Sequence, residues 1–410
     1  MTFEIALTGL NAAGTELETI SNNIANNATS GYKRSRAEFS DVYALSTFGG
    51  DTPAVGQGVE VSGVRQEFEQ GDMQFTNRNL DLAIEGLGMF QLNDNGTTVY
   101  TRSGNFGTDR EGYITDSSGY RLMGYGVDAD GNLQPISSEL QIDYTDLEPQ
   151  STTSIELAAN LDITSDVPVA AFDVDDADTF NFSTSTTVYD TLGSAQIANM
   201  YFRKDAANTW SSFTYVDGQP ISNDPLLGDQ VNFAADGTLQ DVNGDPSGTF
   251  STASFTPASG AEAMQITLDF SDISQFDNAF GINQIEQDGY AAGRLEDYDI
   301  DSSGVIFGRF SNGQANTMGQ ITLSNFSNRE GLKQIGGTSW TETFSSGEPA
   351  TGEPGSASLG TIQAGALEGS NVDITAELVS MIGAQRSFQA NAQVISTGDT
   401  LTQTVINIRR

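Results

Sequence analysis

The chain is 410 residues long, carries 55 acidic against 17 basic side chains for a formal charge of −38, and contains neither cysteine nor histidine. So few cations exclude a nucleic-acid binder or a protein held on an anionic membrane face, because both need basic charge. The missing residue types exclude disulfides, thiol nucleophiles, cysteine- or imidazole-ligated metals and the Ser-His-Asp relay.

At roughly 150 residues per domain the length predicts two or three domains. No run approaches the ~18 apolar residues of a membrane helix. The opening stretch MTFEIALTGLNAAG is interrupted by Glu4, Thr8 and Asn11, and its first basic residue is Lys33. A cleaved secretory signal is therefore not expected.

The first predicted element is a helix. Apolar or small residues recur at Phe3, Ala6, Leu10, Ala13, Leu17, Ile20 and Ile24, in the alternating steps of three and four of a coiled-coil seam. About three heptads are short for independent stability, and Gly14 weakens them further. Asn26, Asn27, Ser30 and Gly31 supply the turn chemistry that stops the helix.

The matching element lies at the other end. Ser370 is positioned to cap a helix, with Asp373 at the positive end of its dipole. A stripe then runs through Ile374, Leu378, Met381, Phe388, Ala392, Ile395, Thr402 and Ile406, broken by Gln385 and Asp399. Arg409 and Arg410 sit where a helix C-terminus prefers cations. From Asn371 to Ile408 such a helix would extend about 55 Å. Leu401, Val405 and Ile408 form a second stripe, so apolar residues occupy more than one side. Two readings follow: amphipathic helices packed on a globular body, or terminal helices that pair and bury their remaining faces in neighbouring copies.

Between the helices, period-two patterns dominate, as in Val59, Val61 and Val64, then Leu80, Leu82 and Ile84. The segments 149–154 and 288–295 are crossing points into and out of an inserted domain. The predicted fold is mainly β with paired α-helical termini. It divides into an N-terminal helix in 1–30, an extended linker in 31–75, a discontinuous β-rich domain in 76–148 and 291–364, an inserted all-β domain in 149–290, and a C-terminal helix in 365–410.

Candidate chemistry is thin. Asp299, Asp301, Ser303 and Gly304 imitate the start of a calcium loop, but Phe310 stands where its last acidic ligand belongs, which favours a hairpin turn. Asp128, Asp130, Asn132 and Glu139 have their glycine at the wrong place for such a loop. Asp173, Asp175, Asp176 and Asp178 read as a solvated acidic loop. Nothing selects two of the 55 acidic residues as a glycosidase pair. No catalytic residue, cofactor or metal site is predicted.

Two longer strings are more specific. GLNAAGTELETISNNIANNATSGYK resembles the N-terminal signature of the flagellar rod and hook axial proteins, carried by Asn23, Ala25, Asn26, Thr29, Gly31, Tyr32 and Lys33. GALEGSNVDITAELVSMIGAQRSFQANAQVI resembles that family's C-terminal signature, carried by Leu367, Glu368, Ser370, Asn371, Val372, Asp373, Glu377, Met381, Gln385, Arg386 and Asn391. NLDLAIEGLGMFQL is similar to a segment shared by rod and hook members. The stretch from Thr186 around Trp210, with GVIFGRFSNGQ and GGTSWTETFSSG, is similar to the hook branch alone. Phe388 where tyrosine is commoner, and Gly14 where alanine or serine is usual, are small departures.

The resemblance implies a structural subunit exported unfolded through the flagellar type III apparatus, without enzymatic activity. It would polymerise with copies of itself into the hook, an extracellular curved tube between rod and filament. Its other partners would be the distal rod protein, the hook cap and the hook–filament junction proteins, with no nucleic acid or membrane. Leu10, Leu17, Ile20, Ile24, Leu378, Met381, Phe388 and Ile395 are the residues expected to govern subunit packing. A rod subunit and an acidic surface adhesin are the alternatives.

Overall fold

The computed structural model describes residues 2–42, 56–128 and 131–408. The fold is mainly β with one α-helix at each terminus: α1, Thr2–Ala25, and α2, Ile374–Ile408. The described residues form two compact units, one drawn from 1–144, 297–309 and 315–410, the other from 145–296 and 310–314.

In the first unit α1 packs along α2. A Cβ on Gly9 would lie 2.9 Å from the Asn391 amide, and Asn23 bonds Glu377 at 3.3 Å, so the helices run antiparallel. Ala6, Ala12, Ala13 and Ala384 are buried, and such small side chains let the backbones approach closely. That register carries α2 past the start of α1 from about Gly398 onward.

α1 ends at Ala25, just before the Asn26-to-Gly31 turn expected to stop it, because the Asn26 N–H is shared between the Asn22 and Asn23 carbonyls and a turn follows. The start of α2 differs from the sequence reading. The cap of α2 is Asp373, not Ser370. The Asp373 Oδ1 accepts from the N–H groups of Thr375 (2.8 Å) and Ala376 (3.2 Å), where its charge also meets the positive end of the helix dipole. Ser370 instead accepts from the Val372 N–H in the preceding turn. Arg409 and Arg410 lie outside the described residues, as do the side chains of Val405, Ile406 and Ile408.

The stretch read as a linker contains an antiparallel ribbon of β1, Ser35–Asp41, and β2, Val59–Gln66, with an irregularity between Glu38 and Phe39. Beyond it, a sheet places Met89–Asp94 between Thr97–Thr101 and Arg121–Val127. Ala315–Ile321 and Ser339–Thr341 return from late in the chain to extend that sheet. Met89, Tyr100, Phe326 and Trp340 fill a core beneath it, with Tyr100 and Phe326 edge-on at 4.8 Å. Two short pairings prepare the site described below: Leu82–Glu85 with Thr361–Ala364, and Met73–Phe75 with Ala366–Glu368.

The second unit is a β-sandwich with a single short 3₁₀ turn, Ala177–Thr179, among its described residues. Bridges Leu147–Gly293 and Gln150–Tyr290 join its entering and leaving segments. One sheet has Ser154–Asp162 at its centre, parallel to Thr267–Asp269 and Ser274–Phe276 and antiparallel to Gly281–Gln287. The other, antiparallel throughout, runs Phe182–Tyr189, Ala195–Ala206, Thr209–Val216, Asp229–Phe233, Leu239–Val242. Ile155, Leu157, Phe202, Trp210, Val231 and Phe270 interleave between the sheets.

Candidate functional site

The terminal signatures, more than 330 residues apart in sequence, meet at a buried polar junction where the helices join the rest of their unit. Its first half is Asn23, in the last turns of α1 and 1% exposed. Its Oδ1 accepts the Ser35 N–H (2.9 Å) and the Tyr32 hydroxyl (3.2 Å), while its Nδ2 donates to the Ser35 carbonyl (2.8 Å) and to Glu377. The amide thus uses both donors and both acceptor positions, pinning the start of β1 to both helices.

Gly31 makes the turn between them possible. It stands at φ +70°, and a Cβ there would come 2.5 Å from the Ser103 nitrogen, so other residues meet both backbone strain and a clash. Its N–H donates to the Glu368 carbonyl at 2.8 Å. Asn26 and Thr29 shape the same turn: the Asn26 side chain donates to the Asn22 carbonyl and accepts from the Thr29 hydroxyl.

The second half centres on Glu368, which is fully buried. Its carboxylate accepts from the Lys33 ammonium at 2.6 Å, from the Arg102 Nε at 2.7 Å and from the Gly71 N–H at 3.0 Å. Backbone carbonyls engage further donors of both cations: Lys33 reaches the Glu69 carbonyl at 2.6 Å, and Arg102 reaches those of Ile84, Gly86 and Gly88. A buried charge with this many partners is held firmly, and removing one partner leaves the others uncompensated. Asn371 ties in the C-terminal segment, accepting the Arg34 N–H (2.7 Å) and donating to the Glu67 carbonyl (2.8 Å). Arg34 forks onto the Glu67 carboxylate and lies 3.9 Å from Glu377.

Burial dominates the protonation of this cluster. It pushes Lys33 below the usual lysine range against the pull of Glu368, and pushes Glu377 above the usual carboxyl range against the pull of Arg34. Tyr32 is raised by burial too, whereas Arg34 is raised by its bond to Glu67. These bonds tie both helices and the sheet segments of the first unit into one anchor.

The helix residues singled out from the sequence divide by face. Ile20 is buried, and Leu10, Leu17, Ile24, Met381 and Ile395 are half-buried. Leu378 (47% exposed) and Phe388 (36%) are not enclosed, and Leu378 lies off the inner stripe marked by Glu377, Met381, Ala384 and Ile395. Ile374, Val379, Ile382, Val394 and Leu401 are likewise exposed. Of the remaining motif residues, Val372 is half-buried, and Ala25, Gln385 and Arg386 face outward. Arg102 and Glu67 join the site without any periodic signal, although Arg102 is one of only 17 basic residues in the chain, whereas Ala384 falls on the helical stripe of Glu377, Met381 and Ile395.

The acidic loops have local explanations. Asp301 Oδ1 accepts from the Ser303 and Val305 N–H groups, both at 2.9 Å, in a hairpin turn. Asp176 caps the 3₁₀ turn through the Asp178 N–H. Asn132 donates to Asp128, while Asp130 lies outside the described residues. Among the described residues no group of three acidic side chains converges to hold a metal, and no helix is long and apolar enough to cross a membrane.

Four family models match the chain: flagella basal body rod protein over residues 3–33, the flagellar hook protein FlgE/F/G D1 domain over 83–165, the flagellar basal body protein FlaE D2 domain over 160–290, and the flagellar basal body rod FlgEFG protein C-terminal over 363–408. The flagellar hook protein FlgE of Salmonella typhimurium is 38% identical over 420 residues, with all of both chains covered. That of Escherichia coli is 38% identical with the same coverage, and that of Borreliella burgdorferi 31% identical over 98% of each. The crystal structure of Helicobacter pylori flagellar hook protein FlgE2 shares the fold, with a TM-score of 0.54 over 71% of this chain and 99% of that one at 17% identity.

Proposed function

This chain belongs to the flagellar hook protein family, and on that premise we propose that it is a structural subunit polymerising into the hook, the curved tube that couples rod to filament and carries torque. The observation that carries the reading is the helix pair. Its inner seam is closed largely by alanines and half-buried side chains, while Leu378, Val379, Ile382, Val394 and Leu401 stay in contact with solvent. Apolar faces of this kind bury themselves between copies of the chain, and a head-to-tail contact that does not close generates a helical tube.

The junction would hold each helix pair in a fixed attitude to its own β-rich body, so that load on the helices passes into the sheet through buried charge pairs. The partition into an N-terminal helix in 1–30, split β domain, inserted domain in 149–290 and C-terminal helix in 365–410 belongs to this proposal. So do an extracellular site in the flagellum, export through the type III apparatus, and contacts with distal rod, cap and junction proteins. Polar, Ser/Thr-rich contacts between β-rich bodies would slide as the tube bends.

Electron microscopy of the purified full-length chain tests the assignment: curved tubes are expected. A chain that stays monomeric under all assembly conditions, with α1 and α2 protected from hydrogen exchange, would refute it.

A further inference from the structure

The second unit contains an internal site that the helix-driven assembly does not use. Seven buried side-chain polar atoms among the described residues have no hydrogen-bond partner, and three of them lie on or beside one pair of neighbouring strands: Ser212 Oγ, Thr214 Oγ1 and Asp229 Oδ2. Ser212 and Thr214 alternate along Thr209–Val216 and so share a face with Trp210 and Val216, which belong to the sandwich core. Asp229 stands directly opposite Ser212 on the neighbouring strand, and Trp210 opposite Val231. All three side chains therefore face the interior, with Ser212 and Thr214 fully buried and Asp229 1% exposed.

The surrounding bonds leave these oxygens for something else. Both side-chain amides that reach Asp229, from Asn223 (3.0 Å) and Asn243 (2.9 Å), go to its Oδ1, and the Asn223 backbone N–H also approaches the carboxyl. Neither hydroxyl bonds its Oδ2, although cross-strand neighbours have Cβ atoms only ~5 Å apart. No Lys or Arg pairs with Asp229 among the described residues. Asp224, in the loop that leads into the strand of Asp229, is engaged by the Leu226 and Leu227 N–H groups and adds negative charge. A carboxylate in a low-dielectric core without a counter-charge is costly, and hydroxyl oxygens left unbonded add to that cost.

We propose that Ser212, Thr214 and Asp229 form an internal binding site for a monovalent hard cation of sodium's class. One carboxylate oxygen and two hydroxyl oxygens match such an ion in ligand type, and a single positive charge neutralises the single buried negative one. Calcium sites draw six to eight oxygens and usually several carboxylates, and no such acidic cluster is present among the described residues. The bound ion would rivet two strands of the sandwich beneath the 221–228 loop. It would make the stability of this unit respond to the sodium of its surroundings.

The test is thermal unfolding of the full-length protein in sodium chloride and in choline chloride at equal concentration, which screens the chain's net charge equally. The transition of the second unit should move upward in sodium and saturate, and Asp229→Asn should abolish that difference. Thr214→Val, a near-isosteric change, should raise the half-saturating sodium concentration by about tenfold through loss of one ligand. It keeps the test decisive if the Asn variant does not fold. Equal transitions in the two salts, or a sodium effect that survives in either variant unchanged, would overturn the site in favour of an internal water or a neutral Asp229 acid.

Discussion

The helix pair and the β-sandwich of the second unit solve opposite problems. The sandwich encloses Trp210, Phe202, Phe270 and their neighbours almost completely, so its apolar core needs no second copy of the chain. The helices bury chiefly Ala6, Ala12, Ala13, Ile20 and Ala384, so little apolar area leaves the solvent within one molecule. One region is finished in a single copy of the chain. On the proposed reading the other is completed by polymerisation, with the junction between α1, α2 and the first unit's sheet deciding how that incomplete region is presented.

The largest effect is expected from separating the two faces of α2. Leu378→Asp alters a side chain that is already 47% exposed, so the thermal transitions of the monomer should stay within about 0.5 kcal/mol of the parent, while tube formation is lost. Leu17→Asp combined with Met381→Asp, on the inner seam, should also abolish tubes but additionally unpair the helices, visible as lost helical circular dichroism. If Leu378→Asp assembled normally, the outward face would have no role and the contrast between the regions would collapse.

Next comes the anchor. Glu368→Ala leaves the Lys33 ammonium and the Arg102 guanidinium buried side by side without their shared anion, which should cost about 3–5 kcal/mol. The loss should appear in the unfolding of the first unit, with the second unit's transition unmoved. A smaller penalty, of order 1–3 kcal/mol of backbone strain before the contact with Ser103 is counted, is expected for Gly31→Val, together with loss of motility. Gly31→Val that leaves motility intact would remove the turn from the mechanism.

How far these regions could be read from the sequence follows from the range of the forces that make them. The spacing of Ala6, Ala13 and Ile20 declares a helix because the 3.6-residue period is local. The same holds for the turn at Asn26 to Gly31. The cap of α2 cannot be placed from the sequence because Ser370 and Asp373, three residues apart, both have capping chemistry, and only the backbone decides between them. Glu368 is legible only as one member of a signature; its partners Lys33 and Arg102 lie far from it and from each other in sequence, and no periodicity links positions 33, 102 and 368. The faces of α2 were the least legible. Apolar residues lie on several of its sides, and which side meets α1 depends on the register fixed at Asn23–Glu377 and Gly9–Asn391.

The smallest effect has a sign that separates burial from pairing at that register point. Glu377 is 6% exposed, burial holds its pKa above the ordinary carboxyl value, and Arg34 pulls the other way. A carboxyl whose folded pKa is raised favours folding in its protonated form. Its contribution is complete below its unfolded pKa of about 4.3 and is lost as the pH rises through the raised folded value. Glu377→Gln keeps an oxygen to accept from Asn23 but cannot ionise, and Arg34 retains Glu67. The variant should therefore gain on the parent as pH rises from 4 to 7, ending equal to it or slightly more stable, as followed by the first unit's unfolding transition. If the variant instead fell further behind the parent toward pH 7, the attraction between Arg34 and Glu377 would outweigh desolvation. The ion pair, not the neutral hydrogen bond, would then be what locks the two helices in register.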